Sequence, residues 1–425
     1  MDSAPLPTGS RPEHRVRRRI YGLGFVDEFG PIYALYTILF VDNGITTAQI
    51  STVFLLWSVV AIVFEVPSGA LADLVDRRKL VAFAFVLRGI GIAVWLVEPS
   101  YAGVIIGALL WSIHSSLASG AWEALIHDEL TAADDEAGYP TVMARTHQFS
   151  NAGIALGTLV ATAGVALGAT IEHLGWLTVA IHLVSITLVL RLPDVRWVKH
   201  TDAPAATDTR ESIDAIDAIG AIDAVGTTSL SSWVSTLRGG LRHARRSPVA
   251  MRLIILGALL EGLFVIDEYV PLLAADRGAA TGIIPVFVLV VFVGLMIGDE
   301  YAARRPGVSA RATGVALMIG AALIAVAVIV TPLWPLLLIG VGYATLEVTW
   351  IIGDARFQQQ LPRRTRATVT SVRAFGSGIV SVAAFALLTV TSIDDTAPIA
   401  GLVVMAGALF LAGALATRWI PRSTP

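Results

Sequence analysis

The sequence predicts an all-α polytopic membrane protein, with about twelve transmembrane helices in two pseudo-symmetric six-helix bundles. Three observations carry this. Of the 425 residues, 55% are hydrophobic and 15% are charged, with a mean hydropathy of +0.72, whereas a soluble domain carries roughly 25% charged residues. Apolar runs of about 20 residues, long enough to cross a bilayer as a helix, recur along the whole chain. Arginine and lysine fall on alternate sides of those runs, so that one face receives nearly all of them.

In chain order, the N-terminal stretch MDSAPLPTGSRPEHRVRRR is polar, proline-containing and then basic. It could serve as the n-region of a signal peptide, but the apolar run behind it is long, carries Asp27 and Glu28 and lacks a small-residue cleavage site. Residues 1–19 are therefore expected to be a disordered cytoplasmic tail. The N-terminal bundle, 20–192, is expected to hold spans at 20–41, 49–71, 80–98, 101–127, 143–167 and 171–192. The polar stretch 193–250 contains the low-complexity run IDAIDAIGAIDAVG and reads as a cytoplasmic linker. Spans at 251–275, 279–299, 310–331, 333–357, 366–391 and 396–418 then make up the C-terminal bundle, 251–418. Residues 419–425 form a second cytoplasmic tail.

With the N-terminus inside, the inner loops receive clusters such as Arg17 to Arg19, Arg77 to Lys79, Arg304 with Arg305, and Arg363, Arg364 and Arg366, while Arg277 alone sits outside. Both termini are thus expected in the cytoplasm. The halves also repeat. DRRK at 76–79 corresponds to ARRP at 303–306, LIHD at 125–128 to IIGD at 351–354, and HQFSNAGI from His147 to RAFGSGIV from Arg373. The near-constant offset suits the parallel six-helix repeats of secondary transporters.

Several chemistries are excluded. The chain has no cysteine, so thiol catalysis and cysteine metal sites are ruled out. Its two lysines, Lys79 and Lys199, do not follow a glycine, so there is no Walker A phosphate loop and no expectation of ATP hydrolysis. No nucleophile constellation or metal-ligand spacing is visible. The protein is expected not to be an enzyme, and to need no cofactor or metal.

Ionisable residues inside spans are costly and mark cavities or partners. Asp27 and Glu28, within GFVDEFGP, are echoed by Asp267 and Glu268 within FVIDEYVP. The prolines of both stretches, Pro31 and Pro271, should kink or break their helices. Measured back from the helix-end signals DNG at Asp42 and DRG at Asp276, however, Glu261 rather than Asp267 lies at the depth of Asp27. The depth count therefore pairs Asp27 with Glu261 across the pathway and puts Asp267 and Glu268 nearer the outer mouth. These acids, with Glu347, are the candidates for binding a proton or substrate, because a buried carboxyl can load and release a proton near neutral pH.

Glu123 and His127 share one helix face with Ser119 a turn earlier, as a proton relay or, preferably, a polar seam at the inner mouth. Trp122 and Trp350, with Trp111, could stack a hydrophobic substrate. Trp57, Trp95, Trp176 and Trp334 read as interfacial anchors. Depth matching expects ion pairs of Glu65 with Arg88, Asp128 with Arg145 or His147, and Asp354 with Arg373. Gly153 and Gly157 form a GxxxG pair suited to close helix packing.

The stretch GALADLVDRRK, Gly69 to Lys79, lies between the second and third spans on the inner side. It resembles the cytoplasmic-loop signature of the major facilitator superfamily, G-x-L-A-D-R-x-G-R-R/K. Gly69, Leu71, Ala72, Asp73, Arg77 and Arg78 match, while Leu74 replaces the usual Arg and Asp76 the usual Gly. FEVPSGALAD from Phe64, SGAWEALIHDEL from Ser119 and LPRRTRATVTSV from Leu361 are similar to segments of bacterial members, often drug–proton antiporters.

The resemblance implies the major facilitator fold, a place in the bacterial inner (plasma) membrane, and alternating access. It also implies an inner gate at Gly69, Asp73, Arg77 and Arg78, with Glu300 as the second-half counterpart of Asp73. The function expected is proton-coupled efflux of a small amphipathic or hydrophobic compound. The fifth span has the glycines of an antiporter signature but not its proline. The alternatives are a proton-coupled importer of a small solute, which for a charged solute would favour a midplane arginine that the sequence does not single out, and a non-transporting receptor or sensor on the same fold. The expected partners are a small-molecule substrate, protons and the lipid bilayer, with no nucleic acid, and the chain is expected to be a monomer.

Overall fold

The computed structural model describes residues 12–133, 135–192, 247–361, 366–392 and 397–421, together with Arg238, Leu241, Arg242 and Arg245. Among these residues the regular elements are helices: α1 (Pro12–Glu28), α2 (Tyr36–Asp42), α3 (Thr47–Leu74), α4 (Arg77–Val97), α5 (Tyr101–Ala132), α6 (Tyr139–Ala166) and α7 (Ile171–Leu190) in the first half. The second half holds α8 (Pro248–Gly262), α9 (Val270–Asp276), α10 (Ile284–Arg304), α11 (Ala310–Ile329), α12 (Leu338–Gln360), α13 (Arg366–Thr391) and α14 (Ile399–Trp419). Eleven helical stretches are long and apolar enough to cross a membrane. The twelfth crossing is the broken run from α1 to α2. Arg17 on α1 is tied at 2.6 Å to Asp135 in the α5–α6 connection, at one face. Asp42, at the far end of α2, leads through a tight turn into α3 at the other. The face where α1 begins and α14 ends is called the terminal face below.

The first span of each half is broken at its acidic stretch. In the first half, Gly30 and a 3-10 turn at Pro31–Ala34 separate α1 from α2. Pro31 cannot donate to a helical ladder, and a Cβ on Gly30 would collide with the Tyr33 ring at 2.2 Å. In the second half a 3-10 segment, Phe264–Tyr269, carries Asp267 and Glu268, and Pro271 restarts the helix as α9.

Asp76, which stands where the family loop usually has glycine, has a structural use. Its carboxylate caps α4 by accepting the Arg78 backbone N–H at 2.9 Å and pairs with the Arg78 guanidinium at 2.9 Å. Burial pushes this carboxyl up, but the Arg78 contacts outweigh it and hold it below the usual carboxylate range. Arg277, the one Lys or Arg among the described residues at the opposite face, donates to the carbonyls of Ala327 and Val328 and so closes the C-terminal end of α11.

Close packing of α6 on α1 depends on the GxxxG pair. A Cβ on Gly153 would lie 2.3 Å from the Phe25 carbonyl oxygen, and one on Gly157 3.1 Å from the Gly30 nitrogen. Gly153→Val is therefore expected to cost about 1–3 kcal/mol through overpacking and to lower the thermal midpoint of the detergent-purified protein. Gly120→Ala, at a position with nothing within 4 Å, should leave that midpoint unchanged.

The two halves meet along α3 with α13, where Ile62 packs over Gly378, and along α6 with α10. Polar bridges between them lie toward the face opposite the termini. There the Tyr36 hydroxyl donates to the Glu268 carboxylate, and the Tyr269 hydroxyl donates to Ser51 Oγ at 2.7 Å. Phe54 packs against Tyr269 and Phe385 beside them. At the terminal face the ion pairs Arg17–Asp135, Arg77–Asp128 and Arg373–Asp354 each stay within one half.

Two expected boundaries change. Residues 12–19, expected in a disordered tail, form the first turns of α1, and Pro248 already opens α8. The low-complexity run at 213–226 and the first eleven residues lie outside the described residues.

Candidate functional site

Breaking the first span at Glu28 turns its two acids sideways into the molecule, where Arg88 meets them from the middle of α4. Arg88 is 3% exposed. Its Nη1 lies 3.2 Å from Asp27 Oδ1, and its Nη2 lies 3.3 Å from Glu28 Oε2. The guanidinium also sits over the rings of Tyr33 and Trp111, 4.7 Å from each centroid. A buried arginine held in this way satisfies the desolvation rule that charges leave water only with partners, and the rings add cation–π attraction.

Two adjoining cavities share Glu28, Arg88 and Trp111. One, of about 240 Å³, runs between α1, α4 and α5 and is lined by Asp27, His114, Ser115, Ser119 and Trp122 among others. The other, of about 200 Å³, lies between the halves and is lined by Tyr33, Tyr36, Trp57, Asp267, Glu268 and Phe292 among others. Together they form an acidic, aromatic-walled space sealed on one side by the Tyr36–Glu268 bridge.

The predicted candidates divide accordingly. Asp27, Glu28, Asp267, Glu268 and Trp122 line this space. Glu261 does not line either cavity. It lies 3.8 Å from Arg373, which also pairs with Asp354, and Arg373 stacks 5.9 Å from the centroid of Trp350. The structure thus corrects the pairing of Asp27 with Glu261 across the pathway: the two spelled Asp-Glu stretches share the space, and Glu261 belongs to a second, tightly packed cluster. The expected ion pair of Glu65 with Arg88 is likewise replaced. Arg88 turns to α1, and Glu65 is exposed. Asp128 pairs with Arg77 at 2.5 Å rather than with Arg145 or His147, because α5 and the start of α4 are adjacent, while Arg145 bonds Gln148 on its own helix.

Glu123 and His127 are exposed near the terminal end of α5, with the His127 ring against Tyr139. Glu347 faces the carboxyl of Asp299 within hydrogen-bonding reach across α10 and α12, where the missing side chain of Gly298 lets them approach. The sequence reading passed over Asp299. Glu300, the expected counterpart of Asp73, is exposed and pairs with Arg304 one turn on. Gly69 and Asp73 fall in the last two turns of α3, and the side chain of Asp73 lies outside the described residues. Arg78 reaches the Leu192 carbonyl at 2.8 Å.

Two tryptophans expected as interfacial anchors are not at an interface. Trp57 lines the central space and packs on Trp111, and Trp95 is 1% exposed, stacked on Tyr36 and bonded to the Val104 carbonyl. Trp95 is covered by its neighbours and Trp57 is half-buried on the cavity wall, which sequence position alone does not reveal. Trp176 and Trp334 are exposed, as anchors would be.

Comparison with known proteins agrees with this architecture. The sequence profile of the Major Facilitator Superfamily matches residues 20–385. The nucleoside transporter NupG superposes with a TM-score of 0.66 at 12% identity, covering 95% of this chain and 98% of that one. A D-xylose–proton symporter superposes at 0.64 with 13% identity, covering 96% of each chain. The human organic anion transporter MFSD10 superposes at 0.59 with 16% identity, covering 94% of this chain and 99% of that one. At such identities the likeness is one of fold. No curated protein matches the sequence.

Proposed function

The chain belongs to the major facilitator superfamily, and on that premise we propose that it is a proton-coupled exporter of a small amphipathic or hydrophobic compound, working by alternating access. The observation that carries the proposal is the central space, in which four carboxyl groups on the broken first spans face aromatic walls between the two halves. Carboxyls in such a place can take up protons from one side and give them to the other. A proton on Asp27 or Glu28 weakens its hold on Arg88, so that protonation and substrate compete for the same groups.

The arginine-rich terminal face is taken as cytoplasmic, in a bacterial inner membrane, and the chain as a monomer. The seal at the opposite face then corresponds to an inward-facing conformation, with Arg77 and Arg78 placed to engage the other half when the inner side closes.

Two observations favour a second reading. Arg88 supplies the buried arginine that uptake of a charged solute would use, and a D-xylose–proton symporter shares the fold. A flux assay separates the two. In proteoliposomes under an imposed pH gradient, screened against a compound panel, export predicts substrate movement against the proton flow, reduced at least about tenfold in Glu28→Gln. Movement with the protons would select import. Absence of any proton-linked flux would remove both.

A further inference from the structure

Among the described ion pairs, the most buried arginine stands furthest from its nearest acid. Arg17, Arg77, Arg78 and Arg304 close on their acids at 2.5–2.9 Å, and Arg373 closes as tightly on Asp354. Arg88 is less exposed than any of these, and attraction between charges grows as water is excluded. Yet its contacts with Asp27 and Glu28 run from 3.2 to 3.4 Å, beyond the roughly 2.7–2.9 Å of a charge-assisted hydrogen bond. Its Nε is buried without a partner, so one of its five hydrogens is spent on neither acid.

A restraint on the guanidinium comes from α7, where Thr178 and His182, one turn apart, hold the break in the first span. The Ile32 N–H, freed by the break, donates to Thr178 Oγ1 at 3.2 Å. His182 is fully buried and packs on Gly89, next to Arg88. Its Nδ1 lies 2.9 Å from the Thr178 carbonyl, which can only accept, so Nδ1 carries the hydrogen. A ring buried with no acid against it is neutral. Nε2 is then an acceptor, and the Tyr33 hydroxyl donates to it at 3.4 Å. That commits the one hydrogen of the hydroxyl. The Tyr33 oxygen therefore presents lone pairs to the Arg88 guanidinium, which lies within hydrogen-bonding reach of it and over the ring. The chain of bonds runs one way, from the Thr178 carbonyl through His182 and Tyr33 to Arg88.

We propose that His182 and Tyr33 are positioning residues that hold Arg88 off Asp27 and Glu28, so that the two carboxyls stay free to take a proton. The inference rests on the proposed role of that pair in proton coupling. A guanidinium released by Tyr33 closes on the carboxylates, as the other arginines do on theirs. A carboxylate gripped in that way exchanges its partner for a proton less readily. His114 on α5, and Asp267 and Glu268 from the second half, are the other titratable groups facing this space, and the test leaves them unaltered.

The test uses dicyclohexylcarbodiimide, which attacks protonated carboxyls in apolar surroundings. It is applied to the full-length protein in detergent with no pH gradient, so the result does not depend on the substrate or the direction of transport. Label on the peptide that carries Asp27 and Glu28 is measured by mass spectrometry across a pH series. In Tyr33→Phe, which keeps the ring, the labelling profile should move to lower pH by about one unit, a loss of about tenfold on its alkaline limb. His182→Leu should move it the same way. The double variant should move no further than the larger single shift, because the two residues act in one chain. His182→Gln, which keeps an acceptor, should restore most of the wild-type profile. A role in packing alone gives the reverse, a loosened site with more label at every pH and additive effects. The inference fails if the Tyr33→Phe profile stays in place or moves to higher pH, or if the two shifts add. It also fails, and the proton-binding role of the pair with it, if the wild-type peptide takes up no label at any pH. Tyr33→Phe alone decides if the leucine variant does not fold. An unmoved Tyr33→Phe profile together with intact proton-linked flux would remove this chain of bonds and leave the transporter reading standing.

Discussion

Arg88→Ala is expected to lower the stability of the detergent-purified protein by about 3–5 kcal/mol, the scale for removing one partner of a buried ion pair, and to abolish proton-linked flux. The guanidinium serves Asp27, Glu28, Tyr33 and Trp111 at once. Its loss strands two carboxyls in a region with little water and leaves a hole between two rings. Arg88→Lys keeps the charge but not the planar fork or the stacking, so it should recover only part of the stability and little transport. The combination of Arg88→Leu with Asp27→Asn and Glu28→Gln removes all three charges together. That variant should regain most of the thermal midpoint and none of the flux, since similar-volume apolar replacements of whole buried ion clusters are often tolerated. Fluorescence-detected size exclusion after heating gives the midpoints. An unchanged midpoint for Arg88→Ala would show that the pair is not the clamp described here.

The same residue shows what sequence can and cannot reveal. Span length, hydropathy and the sidedness of arginine are one-dimensional signals, and they located the crossings and the inner loop directly. Depth matching went further and joined Arg88 to Glu65. Depth, however, says nothing about which side of α4 faces which neighbour, and in a bundle buried on several sides no apolar stripe marks the direction. Trp57 and Trp95 were misplaced for the same reason.

The pairing of Glu261 with Asp27 failed differently. It assumed a uniform rise of about 1.5 Å per residue, but Phe264–Tyr269 is 3-10, where the rise is about 2.0 Å and there are about three residues per turn. The segment is longer and differently phased than a helix of the same sequence. Glu261 stays with Arg373 on the regular helix, while Asp267 and Glu268 turn into the central space. The literal echo of Asp27 and Glu28 thus has a spatial meaning that the depth count denied it. Asp299 escaped notice because it adjoins Glu300, close to Arg304, and reads as the charged end of a span; only the approach of α12 across Gly298 marks it.

Those broken spans also hold the seal between the halves, and Tyr36→Phe with Tyr269→Phe is expected to release it. The Tyr36 hydroxyl bonds a carboxylate and the Tyr269 hydroxyl bonds Ser51. Charged and neutral hydrogen bonds together contribute roughly 2–4 kcal/mol, enough to move a two-state equilibrium by about a hundredfold. Phenylalanine keeps the stacking of residue 36 on Trp95 and the packing of residue 269 against Phe54, so the hydroxyls alone are tested. The chain contains no cysteine, so Thr37→Cys, on the central cavity wall and 1% exposed, gives a single reporter without background. A membrane-impermeant maleimide added from the face opposite the termini should label it slowly in the parent and about a hundredfold faster once both hydroxyls are gone. Unchanged labelling from that face would mean that the aromatic contacts of Phe54, and not the two hydrogen bonds, keep the halves together. Faster labelling from the terminal face instead would place the moving barrier at the wrong end of the bundle and remove the seal from the alternating-access cycle.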